Sequence, residues 1–189
     1  MKKKIIVFAG PSGVGKSTLC HVLLEISEKF KFSISATTRP KRSTEIKDKD
    51  YYFLSKEEFQ KKISEGAFVE HEEVYQDRYY GTLRSEVDRI INNDQIAVFD
   101  IDVLGALNIK RQFADEAYII MVKPESIKAL TERLRNRGTD SEDDLQIRMA
   151  RFEKELALAD QFDTVITNTT GDVESSRLAV LDIVNKYFS

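Results

Sequence analysis

With a single cysteine, Cys20, in 189 residues, the chain cannot build an internal disulfide framework, and a reducing compartment suits it. That thiol falls on the first predicted helix and reads as a small buried apolar residue. Prolines number three and glycines eight, and no proline-rich linker, low-complexity run or internal repeat is present. Neither charge sign dominates. The 29 basic residues face 32 acidic ones, for a net charge of −3, and a pI near 5.6 argues against a broad polyanion-binding surface, hence against nucleic acid as a partner. Long apolar runs are missing as well. After the basic start, Met1 to Lys4, the apolar stretch Ile5 to Ala9 is too short for a signal peptide or a membrane span. No membrane partner and a cytoplasmic location are therefore expected. What remains is a chain with 41% hydrophobic residues, enough to bury a full core in one catalytic domain with an inset.

Residues Gly10 to Ser17 read GPSGVGKS, a complete G-x-x-x-x-G-K-[ST] phosphate loop that begins directly after the apolar run Ile5 to Ala9. Its glycines let consecutive backbone N–H groups turn inward around nucleotide phosphates. Lys16 adds a point charge, and the Ser17 hydroxyl can ligate Mg²⁺. A helix predicted from Lys16 to Glu28 would point its positive end at the same anion. A plain strand-to-helix turn has no use for the Lys-Ser pair.

Buried-strand runs at Ile5–Ala9, Ile96–Ile101, Tyr118–Val122 and Thr164–Thr167 alternate with helical periodicity, which predicts a parallel sheet with helices on both faces. The clearest helix covers about Asp143 to Asp160, where Leu145, Met149, Phe152 and Leu156 recur as core positions. Ser55 followed by Glu58 signals a capping box and a helix ending near Gly66. A last helix runs from Asp172 to Phe188. The span Phe32 to Thr82, rich in β-branched and aromatic residues, predicts a small inserted β-containing subdomain.

Polar residues concentrate in that inset and at one sheet edge. Arg39 and Arg42 lie three apart around a proline, a spacing that can bring two guanidinium groups onto one phosphate, although a solvated basic loop would look the same. Tyr51, Tyr52, Tyr79 and Tyr80, the last two beside Gly81 and Thr82, offer hydroxyls where packing alone favours Phe or Leu. Asp100 and Asp102 close the strand Ile96–Ile101, and period two puts both on one side at its carboxyl edge. An acid there can hold Mg²⁺ directly, hold it through water, or accept a proton from a substrate. His71 and Glu73 alternate on a strand, but no further ligand cluster accompanies them to suggest zinc.

The segments GPSGVGKST, SATTRPKRSTE, DYYF, FVEHEEV, YYGT, FDIDVLG and RNRGTDS follow one another in the order and approximate spacing of guanylate kinase. From Ile5 to about Asn168 the chain resembles that family, and YYGT and TTRP-x-R are far more specific than the phosphate loop. The resemblance implies an α/β nucleoside monophosphate kinase: a three-layer parallel-sheet core (1–32, 83–125 and 160–189), a small inserted β-rich GMP-binding region (33–82) and a helical lid (126–159). It implies transfer of the γ-phosphoryl of ATP to GMP, and to dGMP since no motif plainly reads the ribose 2′-hydroxyl, with Mg²⁺ as cofactor. Oligomeric state stays open between monomer and homodimer.

Carried onto this sequence, the resemblance assigns ATP binding to Gly10, Pro11, Ser12, Gly13, Val14, Gly15, Lys16, Ser17, Thr18 and Asn168. Mg²⁺ falls to Ser17 and Asp100, the latter directly or through water. The GMP phosphate clamp falls on Arg39, Arg42, Tyr51 and Tyr80, with Glu45 and Gly81 beside it. Guanine contacts fall on Ser35, Glu70, Thr82 and Asp102. Catalysis falls to Lys16, Arg39, Asp100, Arg137 and Arg148, the last two approaching the transferring phosphates as the lid closes, with mobility expected near Gly138. Guanine offers N1–H and N2–H donors that adenine lacks, so the Glu70 carboxylate can accept both, while Ser35 and Thr82 hydroxyls can donate to O6. Three departures from the family pattern stand out. Thr44 precedes Glu45 and Asp48 precedes the DYYF segment where glycine is usual, and Thr169 follows Asn168 where an acid is common. Phosphopeptide-binding scaffold domains share this fold but carry degraded phosphate loops, whereas Lys16 and Ser17 are intact here. A sugar-phosphate kinase would share the loop, yet Ser35, Glu70 and Thr82 favour guanine.

Overall fold

The four runs Ile5–Ala9, Ile96–Ile101, Tyr118–Val122 and Thr164–Thr167 line up in a parallel sheet as their composition predicts, a short fifth strand joins them, and a second, smaller sheet is inserted between the first and second halves of the core. The structure is a computed structural model that describes residues 3–75, 77–137 and 142–188, leaving aside the side chains at 74, 75, 137, 142–144 and 147. In chain order the elements are β1 (Ile5–Ala9), α1 (Lys16–Ile26), β2 (Phe30–Phe32), β3 (Ala36–Thr37), β4 (Tyr52–Phe53), α2 (Lys56–Ser64), β5 (Phe68–Tyr75), β6 (Arg78–Leu83), α3 (Arg84–Asn92), β7 (Ile96–Ile101), α4 (Val103–Phe113), β8 (Ala117–Pro124), α5 (Ile127–Arg137), α6 (Glu142–Leu156), β9 (Thr164–Asn168) and α7 (Val173–Tyr187).

The core sheet runs β2-β7-β1-β8-β9, with every pair parallel. All five residues of β1 are fully buried, because helices cover both faces. Its side chains alternate. Ile6 and Phe8 pack with Leu19, Leu23, Leu130, Phe152 and Val180 from α1, α5, α6 and α7, whereas Ile5 and Val7 pack with Val87, Ile90, Val103 and Ile109 from α3 and α4. The three layers therefore follow from period two in the strand and 3.6 in the helices. Strand β2 was not apparent in the sequence: it has three residues, of which only Phe30 is buried, too few for either periodicity to register.

The inset, residues 33–83, forms a four-stranded mixed sheet, β4-β3-β6-β5, covered by α2. It has its own small core of Ala36, Phe59 and Phe68, with the two rings stacked at 4.3 Å. The capping box at Ser55 is present in full: the Ser55 Oγ accepts from the Glu58 amide at 3.1 Å, and the Glu58 carboxylate accepts from the Ser55 amide at 2.7 Å. At the other end the clearest predicted helix is α6, which stops at Leu156 and gives way to a short 3₁₀ turn over Ala159–Gln161.

Register places the chemistry. Phe8 pairs with Asp100 and Ala9 with Ile101, so the loop that leaves β1 and the acids that end β7 share the carboxyl edge of the sheet. Asp102 lies one residue beyond β7, as the N-cap of α4, where its Oδ1 accepts from the Gly105 amide at 2.9 Å. The Asp102 backbone stays extended, with φ −77° and ψ 174°, so the period-two alternation expected of Asp100 and Asp102 runs on into the cap.

Candidate active site

The phosphate loop ends in a helix whose first turn is uncapped. Gly15, the N-cap of α1, has φ of 100°, no side chain caps the helix, and no acidic residue stands in its first turn. The leading N–H groups of α1 are thus free of internal competition for an anion. A Cβ on Gly15 would come within 2.2 Å of the Asn168 Nδ2. Lys16 folds back over the loop, donating from Nζ to the Gly10 and Pro11 carbonyls at 2.9 and 3.1 Å and lying 3.5 Å from Asp100 Oδ1. Ser17 Oγ donates to Asp100 Oδ2 at 2.5 Å. Lys16, Ser17 and Asp100, proposed from the sequence as phosphate and Mg²⁺ residues, therefore converge. Two hard oxygen donors beside a phosphate cradle suit Mg²⁺, which keeps several waters and takes only one or two protein ligands. Among the described residues no group of three or more His, Cys, Asp or Glu forms a metal-binding cluster.

On the inset side, Glu70 lies on β5 opposite Thr82 of β6 and is 6% exposed. The Thr82 hydroxyl donates to Glu70 Oε1 at 2.7 Å. Burial, opposed in part by that hydrogen bond and reinforced by the Asp102 charge, pushes Glu70 up to about 7. Asp102 reaches the same place from the core. A Cβ on Gly105 would lie 3.2 Å from Glu70 Oε2 and 3.6 Å from Asp102 Oδ2, so the two acids share one wall. Because the Thr82 proton is committed to Glu70, Thr82 orients the carboxylate and is not free to donate to a base carbonyl in this arrangement. Ser35 alone of the two hydroxyls keeps that option; its backbone carbonyl accepts from the Tyr52 amide at 2.9 Å. Gly81 is required by packing. A Cβ there would sit 2.7 Å from the Glu70 carbonyl and 2.9 Å from the His71 Cβ, so strands β5 and β6 can approach only with glycine at that point.

The clamp residues gather at one end of the small sheet. Arg39 makes a two-pronged pair with Glu45, at 2.8 and 2.6 Å, and its guanidinium lies 5.0 Å from the Tyr51 ring centre. Tyr51 in turn meets Tyr80 edge-on at 6.2 Å. The Glu45 carboxylate also accepts from the Arg42 amide at 2.7 Å. Hydrogen bonds from Arg39 and from that amide hold Glu45 down at about 2, so it stays ionised and fixes the guanidinium across the working pH range. Burial raises the Tyr51 hydroxyl, with Arg39 opposing and Asp100 adding to the rise, which keeps it a neutral donor. Asp48 takes a left-handed conformation, φ 62°, at the position where the family pattern has glycine.

Helix α5 lies over the phosphate loop, with Leu130 and Leu134 beside Gly13, and α6 packs against α5. Arg133 of α5 donates to the carbonyls of Val14 and Asn168, at 3.4 and 2.9 Å, and to the Thr170 hydroxyl at 2.8 Å. Asn168 is buried, with its Nδ2 donating to the Val14 carbonyl at 2.7 Å and its Oδ1 accepting from Ser176 at 3.2 Å. Its amide thus braces the phosphate loop. Arg148 sits half-buried on α6. The Arg137 side chain and Gly138 lie outside the described residues.

The guanylate kinase family model matches residues 2–187. This chain belongs to the guanylate kinase family. It is 43% identical over 189 residues to the guanylate kinase of Bacteroides thetaiotaomicron, covering all of this chain and 92% of the relative. It is 45% identical over 186 residues to that of Porphyromonas gingivalis, covering 97% and 99%. The crystal structure of guanylate kinase from Anaplasma phagocytophilum superposes with a TM-score of 0.73 at 26% identity, covering 100% of this chain and 88% of the other. The parallel core with its β-rich inset is thus the guanylate kinase fold, and the chain is a phosphotransferase.

Two residues around the site are not apparent in the sequence. Glu86 is 2% exposed, and its carboxylate accepts from the Ile34 amide at 3.2 Å, from the Tyr52 hydroxyl at 2.9 Å and from Arg89 at 2.9 Å. It ties α3 to the segments that carry Ser35 and Tyr51. Arg151 of α6 meets Glu72 of β5 at 2.9 Å. Nothing local marks either: an acid and a base on amphipathic helices read as solvated until the tertiary partner is known.

Proposed function

We propose that the chain transfers the γ-phosphoryl group of ATP to GMP, and to dGMP, giving ADP and GDP or dGDP by direct in-line transfer. The observation that carries this reading is the arrangement along β7. Asp100 faces the phosphate loop, and two residues on, Asp102 faces the buried Glu70, so a nucleotide triphosphate and a guanine base are received at one sheet edge.

On the donor side, the α1 amides and Lys16 bind the phosphates of ATP, with Lys16 exchanging its loop carbonyls for phosphate oxygens. Mg²⁺, held by Ser17 and by Asp100 directly or through water, would offset charge on the transferring phosphoryl group. On the acceptor side, Arg39 and Arg42 with the Tyr51 and Tyr80 hydroxyls hold the GMP phosphate, and Glu45 keeps Arg39 in place. Glu70 and Asp102 accept from guanine N1–H and N2–H, while Ser35 donates to O6. Adenine presents an acceptor at N1, leaving Glu70 unpaired and buried, a mismatch that can reach factors of about 10⁴. The helices of residues 126–159 act as the lid, bringing Arg137 and Arg148 toward the phosphates and excluding water. No covalent intermediate is needed.

The test is a coupled assay of ADP formation with ATP, Mg²⁺ and each of GMP, dGMP, AMP, CMP and UMP. Turnover with GMP and dGMP but not the others is expected. Equal turnover with AMP would remove the assignment of Glu70 and Asp102 to base reading.

A further inference from the structure

The acidic wall of the base site holds one carboxylate more than base reading uses. Glu72 follows Glu70 by two on β5, and its oxygens lie 2.9 and 3.3 Å from the outer guanidinium nitrogen Nη2 of Arg151. The same nitrogen is 4.0 Å from Asp102 Oδ1. Arg151 is also held from its own helix, with Nε donating to the buried Glu155 at 2.7 Å. One planar guanidinium, fixed on two edges, therefore spans α6, the inset strand β5 and the N-cap of α4.

We propose that Arg151 is a positioning residue that latches helix α6 to the base-reading strand through Glu72, so that GMP binding and lid closure favour one another. The inference rests on the reading above, in which guanine sits against Glu70 and Asp102 and α6 belongs to the lid. A base seated there expels water from the cluster, and an ion pair strengthens as its surroundings dry. By linkage, a lid held down by that pair retains GMP more tightly. Burial and the neighbouring Asp102 push Glu72 up to about 7, and the Arg151 charge opposes both. Arg133 of the neighbouring helix α5 reaches elsewhere, to the carbonyls of Val14 in the phosphate loop and of Asn168.

Hydrogen exchange with GMP alone, read separately over β5 and α6, tests the latch in the full chain alongside steady-state kinetics. In the unmodified protein GMP slows exchange in both elements. In Arg151→Ala the slowing persists in β5 and is lost in α6, KM for GMP rises about tenfold, and KM for ATP stays within about twofold. Glu72→Gln behaves alike, and the double variant is no worse than either single one, because both remove the same contact. Undiminished slowing over α6 in Arg151→Ala, or KM effects that multiply to about a hundredfold in the double variant, would overturn the latch while leaving base reading intact. Absence of any slowing over β5 in the unmodified protein would overturn base reading and the latch with it.

Discussion

Replacing Glu70 by Gln separates the cost of the buried carboxylate from its use. At 6% exposure, Glu70 is raised from an ordinary carboxylate value of 4.5 to about 7. At 1.36 kcal/mol per pH unit, that difference amounts to roughly 3 kcal/mol of destabilisation once the group is ionised. The sign follows from proton binding. The folded state holds the proton between pH 4.5 and 7 where the unfolded chain has released it, so stability falls as pH rises through that window. A glutamine side chain there cannot ionise, keeps an oxygen for the Thr82 hydroxyl, and escapes the penalty. Urea unfolding should therefore show Glu70→Gln more stable than the parent by up to about 3 kcal/mol at pH 8, with the gap closing toward pH 4. Activity moves the other way. The amide offers one acceptor and an N–H that opposes guanine's own donors, so two charge-assisted hydrogen bonds of about 1.5–3 kcal/mol each are weakened or lost. A fall in kcat/KM for GMP of about 10²–10⁴ follows. A variant that loses stability at pH 8, or that keeps its kcat/KM for GMP, would refute the reasoning.

The same group makes KM for GMP pH-dependent: Glu70, ionised in about a tenth of molecules at pH 6 and nine-tenths at pH 8, predicts a roughly tenfold fall in KM across that range. In Glu70→Gln only the part due to the GMP phosphate, whose second ionisation lies near 6, should persist. Lys16→Ala should abolish turnover while shifting the unfolding midpoint by less than about 1 kcal/mol equivalent, since among the described residues its Nζ meets loop carbonyls and Asp100. Gly15→Ala places a Cβ on Asn168 at φ 100°, which should cost about 1–3 kcal/mol and raise KM for ATP by displacing the brace on Val14; thermal unfolding and ATP kinetics check both. Asp48→Ala should destabilise by about 1 kcal/mol at its positive φ, whereas Asp48→Gly should be neutral or slightly stabilising in the same urea assay.

What was legible beforehand divides along physical lines. β1 and β7 were readable to the residue because a strand buried on both faces is an unbroken apolar run bounded by polar turns. The capping box at Ser55 was readable because both partners lie within one turn of helix. The phosphate loop was readable because its chemistry constrains a contiguous string. By contrast, the double duty of Asp102 was not readable: it ends the extended run and also caps α4, and the cap depends on Gly105 three residues later. Thr82 could be named as a base-site residue but not its partner, since the donation to Glu70 is set by pairing across β5 and β6. Glu86 and Arg151 were silent for the same reason. Their roles lie in contacts 52 and 79 residues away in sequence, which no local pattern encodes.

Direct phosphoryl transfer between the two halves of the site is the central claim, and phosphorus-31 NMR of the enzyme with ATP, GMP and Mg²⁺ reads it without a coupling system. The account predicts the β-phosphorus signals of ADP and GDP growing together in equal amounts, with no inorganic phosphate. Inorganic phosphate appearing with ADP while GMP stays unchanged would contradict it.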